Sequence, residues 1–198
     1  LGGYEWMDKL CRTIVERGLD KAPDFITIDS SDGGTGAAPP ALMDYMGLPL
    51  SESLPGVANK LREHGLKGRV KLIASGKLIN PAEIAWALCV GADFITSARG
   101  FMFALGCIQA FQCNKNTCPT GITTHDSRLQ KGLNPENKAE RVRRYAETVL
   151  YEVGVIAHSC GVPEPRQLRR QHVRVVTETG RSKGLDEIFP WPNQKEDI

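Results

Sequence analysis

The sequence predicts an α/β fold with parallel strands, on three observations. Short apolar, β-branched runs alternate with amphipathic helical stretches; each run ends in a loop of glycine, serine, threonine or charge; and the segments between runs are long enough for crossover helices. With 198 residues, 41% apolar composition and a net charge of +2, the chain has material for one sizeable core and no polyelectrolyte character, so nucleic acid is not an expected partner. Neither a membrane span nor a charged-then-apolar leader is visible, which gives a cytoplasmic expectation. The chain opens on Leu1 and enters a helix at once, as a fragment of a longer protein would.

From Glu5 to Arg17, Trp6, Leu10 and Ile14 recur at helical spacing and Gly18 provides a stop. Asp24 to Asp29 reads as a buried strand running into Ser30-Ser-Asp-Gly-Gly-Thr-Gly36. A helix fits Glu52 to His64, with Pro55 in its first turn. Arg69 to Ala74 is a second strand, broken by Ser75-Gly76-Lys77. Asn80-Pro81-Ala82-Glu83 then has the cap, first-turn proline and acidic third position of a helix start, and that helix runs to Val90. Ala92 to Ala98 is a third strand, followed by Arg99-Gly100 and an apolar helical stretch through Ala110. A cysteine-bearing loop, a long helix from Pro135 to His158 and an Arg-rich, Pro-interrupted tail complete the chain.

Three strands do not close a barrel, and the chain is shorter than the ~250 residues of a (β/α)8 barrel. The expectation is therefore the C-terminal half of such a barrel over residues 1–160, with an irregular extension over 161–198. An open doubly wound sheet shares the local pattern. The loaded loop after every strand and the missing Gly-x-Gly-x-x-Gly fingerprint favour the barrel.

Two loops on consecutive strands form a candidate phosphate site. Ser75, Gly76 and Lys77 follow the second strand; Ala98, Arg99 and Gly100 follow the third. Glycine lets the main chain approach an anion, a helix N-terminus offers free N–H groups, Ser75 has a hydroxyl to donate, and Lys77 and Arg99 add positive charge. Each loop alone reads as an ordinary turn; the pair reads as an anion site. Asp32, Gly33, Gly34 and Thr35 form a further loop suited to lie against a flat ring or a small acid, with Thr35 as a donor and Asp32 orienting the loop.

Cys107, Cys113 and Cys118 form a Cys-x5-Cys-x4-Cys run with a proline after the last, whereas Cys11, Cys89 and Cys160 are scattered through apolar or helical segments. Soft thiolates in one short loop suit an iron–sulfur cluster, and the absence of a nearby fourth cysteine suits three irons. A zinc site completed by His125 is the chemical competitor. Three cysteines packing merely as small hydrophobes is the blander alternative.

The strings Ser31-Asp-Gly-Gly-Thr-Gly-Ala-Ala-Pro39, Ala74-Ser-Gly-Lys77, Ser97-Ala-Arg-Gly-Phe-Met-Phe-Ala-Leu-Gly-Cys107 and Asn116-Thr-Cys-Pro-Thr-Gly121 resemble the FMN domain of glutamate synthases, in its stand-alone form. The resemblance implies that the three strands are the sixth to eighth of the barrel and that the cysteines hold a 3Fe-4S cluster close to FMN. It further implies reductive amination of 2-oxoglutarate to L-glutamate, with Asp32, Thr35 and Lys77 at the reacting end. Electrons would arrive from ferredoxin or a pyridine-nucleotide-oxidising subunit.

The sequence contains no glutaminase nucleophile, so ammonia would come from solution or from a separate glutaminase subunit. Ser75-Gly76-Lys77 stands where the large synthases carry Asp-Gly-Gly, and the family's substrate-binding lysine lies upstream of Leu1. Within the same resemblance, an alkylamine–glutamate synthase such as one making N-methylglutamate, or a noncatalytic electron-transfer or scaffold subunit, are the alternatives.

Overall fold

The computed structural model describes residues 2–32 and 46–192. Helix α1 (Glu5–Arg17) turns its Met7, Cys11 and Ile14 stripe inward and ends at Gly18, whose φ of 104° suits a residue without a side chain. Strand β1 (Phe25–Asp29), helix α2 (Leu50–Glu63), strand β2 (Lys71–Ser75), helix α3 (Pro81–Val90) and strand β3 (Phe94–Thr96) follow in strict alternation. The strands form one parallel sheet in the order β1-β2-β3, with Asp29 beside Ser75 and Ser75 beside Thr96 at their carboxyl ends.

Helix α2 begins at Leu50, earlier than the periodicity suggests, so Pro55 lies inside the helix rather than in its first turn. The reason is tertiary: the Asp32 carboxylate accepts the Leu50 N–H at 2.8 Å and caps the helix from across the chain. Helix α3 starts as its sequence dictates. Asn80 accepts the Glu83 amide at 3.0 Å, the Glu83 carboxylate accepts the Asn80 amide in return, and Pro81 occupies the first turn.

Leu54, Val57, Leu61, Leu72, Ala74 and Val90 are fully buried between the sheet and helices α1 to α3. The opposite sheet face is different. Phe25 and Phe94 remain 58% and 48% exposed, and Thr27, Asp29 and Thr96 on the same face are also exposed. Parallel sheets are ordinarily covered on both faces, whereas among the described residues this face is largely exposed, with the Arg166 guanidinium 5.4 Å from the Phe94 ring centroid.

Helix α4 (Ala98–Leu105) stops short of the Ala110 expected from apolarity alone, because Gly106 takes a left-handed conformation and the Cys107 amide turns back to the Met102 carbonyl at 2.9 Å. After the cysteine loop come a single-turn helix α5 (Ser127–Gln130), capped by Asp126, and the long helix α6 (Pro135–Ser159), capped by Asn134. Helix α6 packs on α3 and α4, and the Tyr145 ring meets the Phe101 ring edge-on at 5.0 Å.

The remainder contains 3-10 turns, an antiparallel pair of β4 (Arg174–Val176) with β5 (Ser182–Gly184), and a short helix α7 (Leu185–Ile188). Leu168, Arg170 and Leu185 from this segment are buried. Among the described residues no helix is long and apolar enough to cross a membrane.

Candidate functional site

The site lies where the three parallel strands end. Ser30 N–H donates to the Ser75 carbonyl at 3.2 Å, and the Ser75 hydroxyl donates to the Asp29 carboxylate at 3.1 Å. On the other side, the Ser97 hydroxyl donates to the Leu78 carbonyl at 2.5 Å. The turns holding Gly76 and Lys77 and the start of α4, which the sequence pairs as a candidate phosphate site, are thereby stitched side by side. The structure commits the Ser75 hydroxyl to Asp29, so Ser75 is tied into the rim by its neighbour.

Backbone conformation marks this rim. Gly76 has φ of 146°, and a Cβ there would run into the Ser30 hydroxyl; Lys77 follows with φ of 47°, uncommon for a residue with a side chain. Ser97 has the residue type of an N-cap but makes no capping hydrogen bond, because its hydroxyl is engaged with Leu78. The first amides of α4, on Ala98, Arg99 and Gly100, therefore lack the usual side-chain acceptor, and the helix dipole adds partial positive charge there. An anion at this helix start, beside the Gly76-Lys77 turn, would meet those amides.

Gly100 has a second reason to be glycine. A Cβ at this position would collide with the Tyr145 side chain, so the missing side chain admits α6 against α4 rather than a ligand. Tyr145 is held there by its own hydroxyl, which donates to the Ile79 carbonyl at 2.6 Å.

Asp32 anchors the far ends of the glycine loop. Besides capping α2 through its carboxylate, Asp32 donates its amide N–H to the Ser30 hydroxyl oxygen at 3.2 Å, while the neighbouring Ser31 amide donates to the Leu48 carbonyl at 3.1 Å. Gly33, Gly34 and Thr35 lie outside the described residues. A cleft of about 490 Å³ brings Asp32, Gly76 and Lys77 together with Leu50, Glu83 and Trp86.

The cysteine loop begins directly at the end of α4. Gln109, Phe111 and Asn116 within it have φ of 55°, 52° and 59°. Such conformations in residues with side chains are costly, and loops that retain them are ordinarily over-determined by a site. Thr124 closes the loop by donating to the Asn116 carbonyl at 2.6 Å, and the Asn116 side chain accepts the His125 amide at 2.6 Å. Inside that closure, Cys118 Sγ lies 3.3 Å from the Thr120 hydroxyl and is only 9% exposed. Burial alone would raise the Cys118 thiol. Hydrogen bonding from the Thr120 hydroxyl, from the Thr123 amide and hydroxyl, and from the Thr120 amide outweighs it and brings the thiol down to about 6. The Thr123 Oγ1 is buried and bears on the thiol without completing a hydrogen bond of ordinary geometry.

Among the described residues, the one trio of potential metal ligands gathered within 4.8 Å is Asp8, Glu63 and His64, where the Lys60 ammonium already sits 2.7 Å from Glu63 and 3.6 Å from Asp8. Cys107, Cys113 and Cys118 are not drawn that close. Tetrahedral zinc, at ~2.3 Å from each sulfur, would hold its ligands ~3.8 Å apart. His125, the fourth ligand of the zinc alternative, is exposed, and its backbone amide is bound to Asn116.

Periodicity and motif reading miss Asp29, Ser97, Tyr145, Thr120 and Thr123. The signals were present for two of them: Ser97 directly precedes the helix, and Asp29 ends a strand beside the one ending in Ser75.

Fold and site together define a parallel α/β unit with glycine turns at its strand ends and an adjoining cysteine loop. The family profile described as a conserved region in glutamate synthase matches residues 9–163. The chain is 44% identical over 169 residues to the glutamate synthase large subunit-like protein YerD of Bacillus subtilis, an overlap covering 85% of this chain and 32% of that protein. It is 35% identical to the archaeal-type glutamate synthase [NADPH] of Dehalococcoides mccartyi, over 83% of this chain and 33% of that one, and 34% identical to the archaeal glutamate synthase [NADPH] of Methanocaldococcus jannaschii, over 83% and 31%. The chain belongs to the glutamate synthase family, and it spans about a third of the length of these relatives.

Proposed function

We propose that this chain supplies the phosphate end of an FMN site and the ligands of a 3Fe-4S cluster in a cytoplasmic glutamate synthase-like oxidoreductase, which reductively aminates 2-oxoglutarate to L-glutamate. The observation that carries the reading is helix α4. Its uncapped N-terminus adjoins the Gly76-Lys77 turn, and its C-terminus delivers Cys107. An eight-residue helix is about 12 Å long, so one rigid element holds an anion site and a thiolate site a short electron-transfer distance apart.

The residues fit both groups. Backbone amides of Ala98, Arg99 and Gly100 would receive the phosphate, with Gly76 on the adjoining turn and Lys77 and Arg99 supplying charge; Ser75 stabilises the rim through Asp29. Gly33 and Gly34 would lie against the flavin ring, and Thr35 would donate to the substrate acid. Asp32 acts through its hold on the loop and on α2. Cys118, stabilised as a thiolate, would bind iron with Cys107 and Cys113, and the unpartnered Thr123 hydroxyl has a natural acceptor in a cluster sulfur. When bound, FMN supplies hydride transfer and the cluster one-electron transfer; the protein positions, charges and excludes water.

The exposed sheet face bearing Phe25 and Phe94, with both strand edges unpaired among the described residues, supports reading β1 to β3 as an arc of a (β/α)8 barrel over residues 1–160, whose interior that face would line. On this reading residues 161–198 are the extension, and its described part, through residue 192, packs on α3 and α6. The names of two relatives specify NADPH, which supports a pyridine-nucleotide-oxidising partner over ferredoxin, with ammonia free or delivered from glutamine by a separate subunit.

The test uses the full-length protein purified anaerobically. Flavin absorption, about three irons per chain and glutamate formation from 2-oxoglutarate, ammonia and a reduced dye are the expected results. A colourless protein carrying one zinc would overturn the proposal.

A further inference from the structure

The hydroxyls of the cysteine loop are unequally employed. Thr117 donates to the Gln112 side chain at 3.3 Å, and Thr124 donates to Asn116. Thr120 Oγ1 is 3.3 Å from Cys118 Sγ, and Thr123 Oγ1 is buried with no partner. Orphaned buried hydroxyls are costly and uncommon unless a ligand completes them. The loop's closure through Asn116, Thr124 and His125 spans the stretch that carries both threonines.

We propose that Thr120 and Thr123 are positioning residues whose hydroxyls donate to sulfur at the Cys118 corner of the iron–sulfur site and raise its reduction potential. The inference rests on the cluster reading above. A sulfur bonded to iron carries no proton, so at the Thr120–Cys118 contact the threonine must be the donor. Thr123 would reach the same sulfur or an adjoining sulfide. Donors to cluster sulfur favour the reduced form, which carries one more negative charge, and outer-shell hydrogen bonds of this kind tune potential without touching the metal. Accepting one electron would therefore become easier while the ligand set stays the same.

The experiment is a potentiometric titration of the full-length protein followed by electron paramagnetic resonance, with iron content measured in parallel. Thr120→Val and Thr123→Val remove the hydroxyls at nearly constant volume; Thr120→Ser and Thr123→Ser keep them. At the wild-type midpoint, each valine variant should show a reduced-to-oxidised ratio several-fold lower, and the pair about tenfold lower, equivalent to a one-electron shift of 59 mV. The serine variants should stay near the wild type. If valine prevents iron loading, the alanine variants carry the same prediction. In the wild type, an exchangeable proton coupled to the cluster should appear in double-resonance spectra and disappear in the valine or alanine variants. Intact clusters at an unmoved potential, or serine shifting as far as valine, would overturn this inference alone. A wild-type protein without the cluster signal would instead overturn the reading on which it rests.

Discussion

The Tyr145 side chain fills the space in front of Gly100, with its hydroxyl bound to the Ile79 carbonyl at 2.6 Å, so one residue of α6 locks α4 and the loop after β2 together. A Cβ at Gly100 must displace that ring. Gly100→Ala should therefore destabilise the protein by about 1–3 kcal/mol, the usual range for overpacking. Because α4 carries both an anion-binding end and Cys107, flavin and iron should be lost together. Tyr145→Phe should cost only about 0.5–1.5 kcal/mol and leave both contents high. Thermal unfolding with flavin and iron assays on the full-length protein checks this. Loss of flavin with normal stability and full iron would mean that Gly100 serves the phosphate alone.

The Cys118 thiol, held down to about 6, predicts a distinct pH profile in protein stripped of iron. Its folded value lies below that of an unfolded cysteine. Thiolate stabilisation is thus fully present above the unfolded value near 9 and is lost as pH falls through about 6. Alkylation of Cys118, read by mass spectrometry under native conditions, should accelerate through pH 6, and Thr120→Val should move the inflection upward. An inflection near 9 in the unsubstituted protein would contradict the hydrogen-bonding account.

The alternation of strands and helices was legible because each element carries its own local signal: the α1 stripe ending at Gly18, the capping box of Asn80 and Glu83, and the β-branched run of β1. Glycine turns on neighbouring strands were legible as a pair because parallel strands place their carboxyl ends side by side. What the sequence hid was long-range pairing. Nothing local says that Asp32 caps a helix beyond the glycine loop, that Tyr145 explains Gly100, or that Ser75 is bonded to Asp29. The early stop of α4 was hidden for another reason: apolar residues continue past Gly106, and backbone handedness rather than hydropathy ends the helix.

Asp32 separates positioning from chemistry. Its carboxylate accepts the Leu50 amide at 2.8 Å, a bond that an asparagine oxygen can also accept. Asp32→Asn should retain most stability, whereas Asp32→Ala should lose about 1 kcal/mol with the cap. If Asp32 acts only by holding the glycine loop, flavin affinity should fall in the alanine variant and remain near normal in the asparagine one. Equal loss of turnover in both, with flavin retained, would give the charge itself a role in the reaction.

Arg170 is the clearest test of how the C-terminal segment is held. Its side chain is 1% exposed, and its guanidinium donates to the carbonyls of Val90, Phe189 and Pro55 and to the Asn59 side chain, while lying 3.5 Å from the Trp191 ring centroid. No carboxylate is among these partners; burial, and then the nearby Arg62, pull the guanidinium down to about 10, which leaves it charged at neutral pH. A buried cation satisfied only by carbonyls, an amide and a π face depends on the planar fork of arginine. Arg170→Lys should fail to replace it, despite keeping the charge. Arg170→Ala would strand several buried acceptors and open a cavity, at an expected cost of about 3 kcal/mol or more. The segment containing β4, β5 and α7 should then loosen first, seen as faster amide exchange there and on the Asn59 and Val90 faces of α2 and α3. Uniform exchange across the chain in the variant would show instead that the segment and the sheet unfold as one unit.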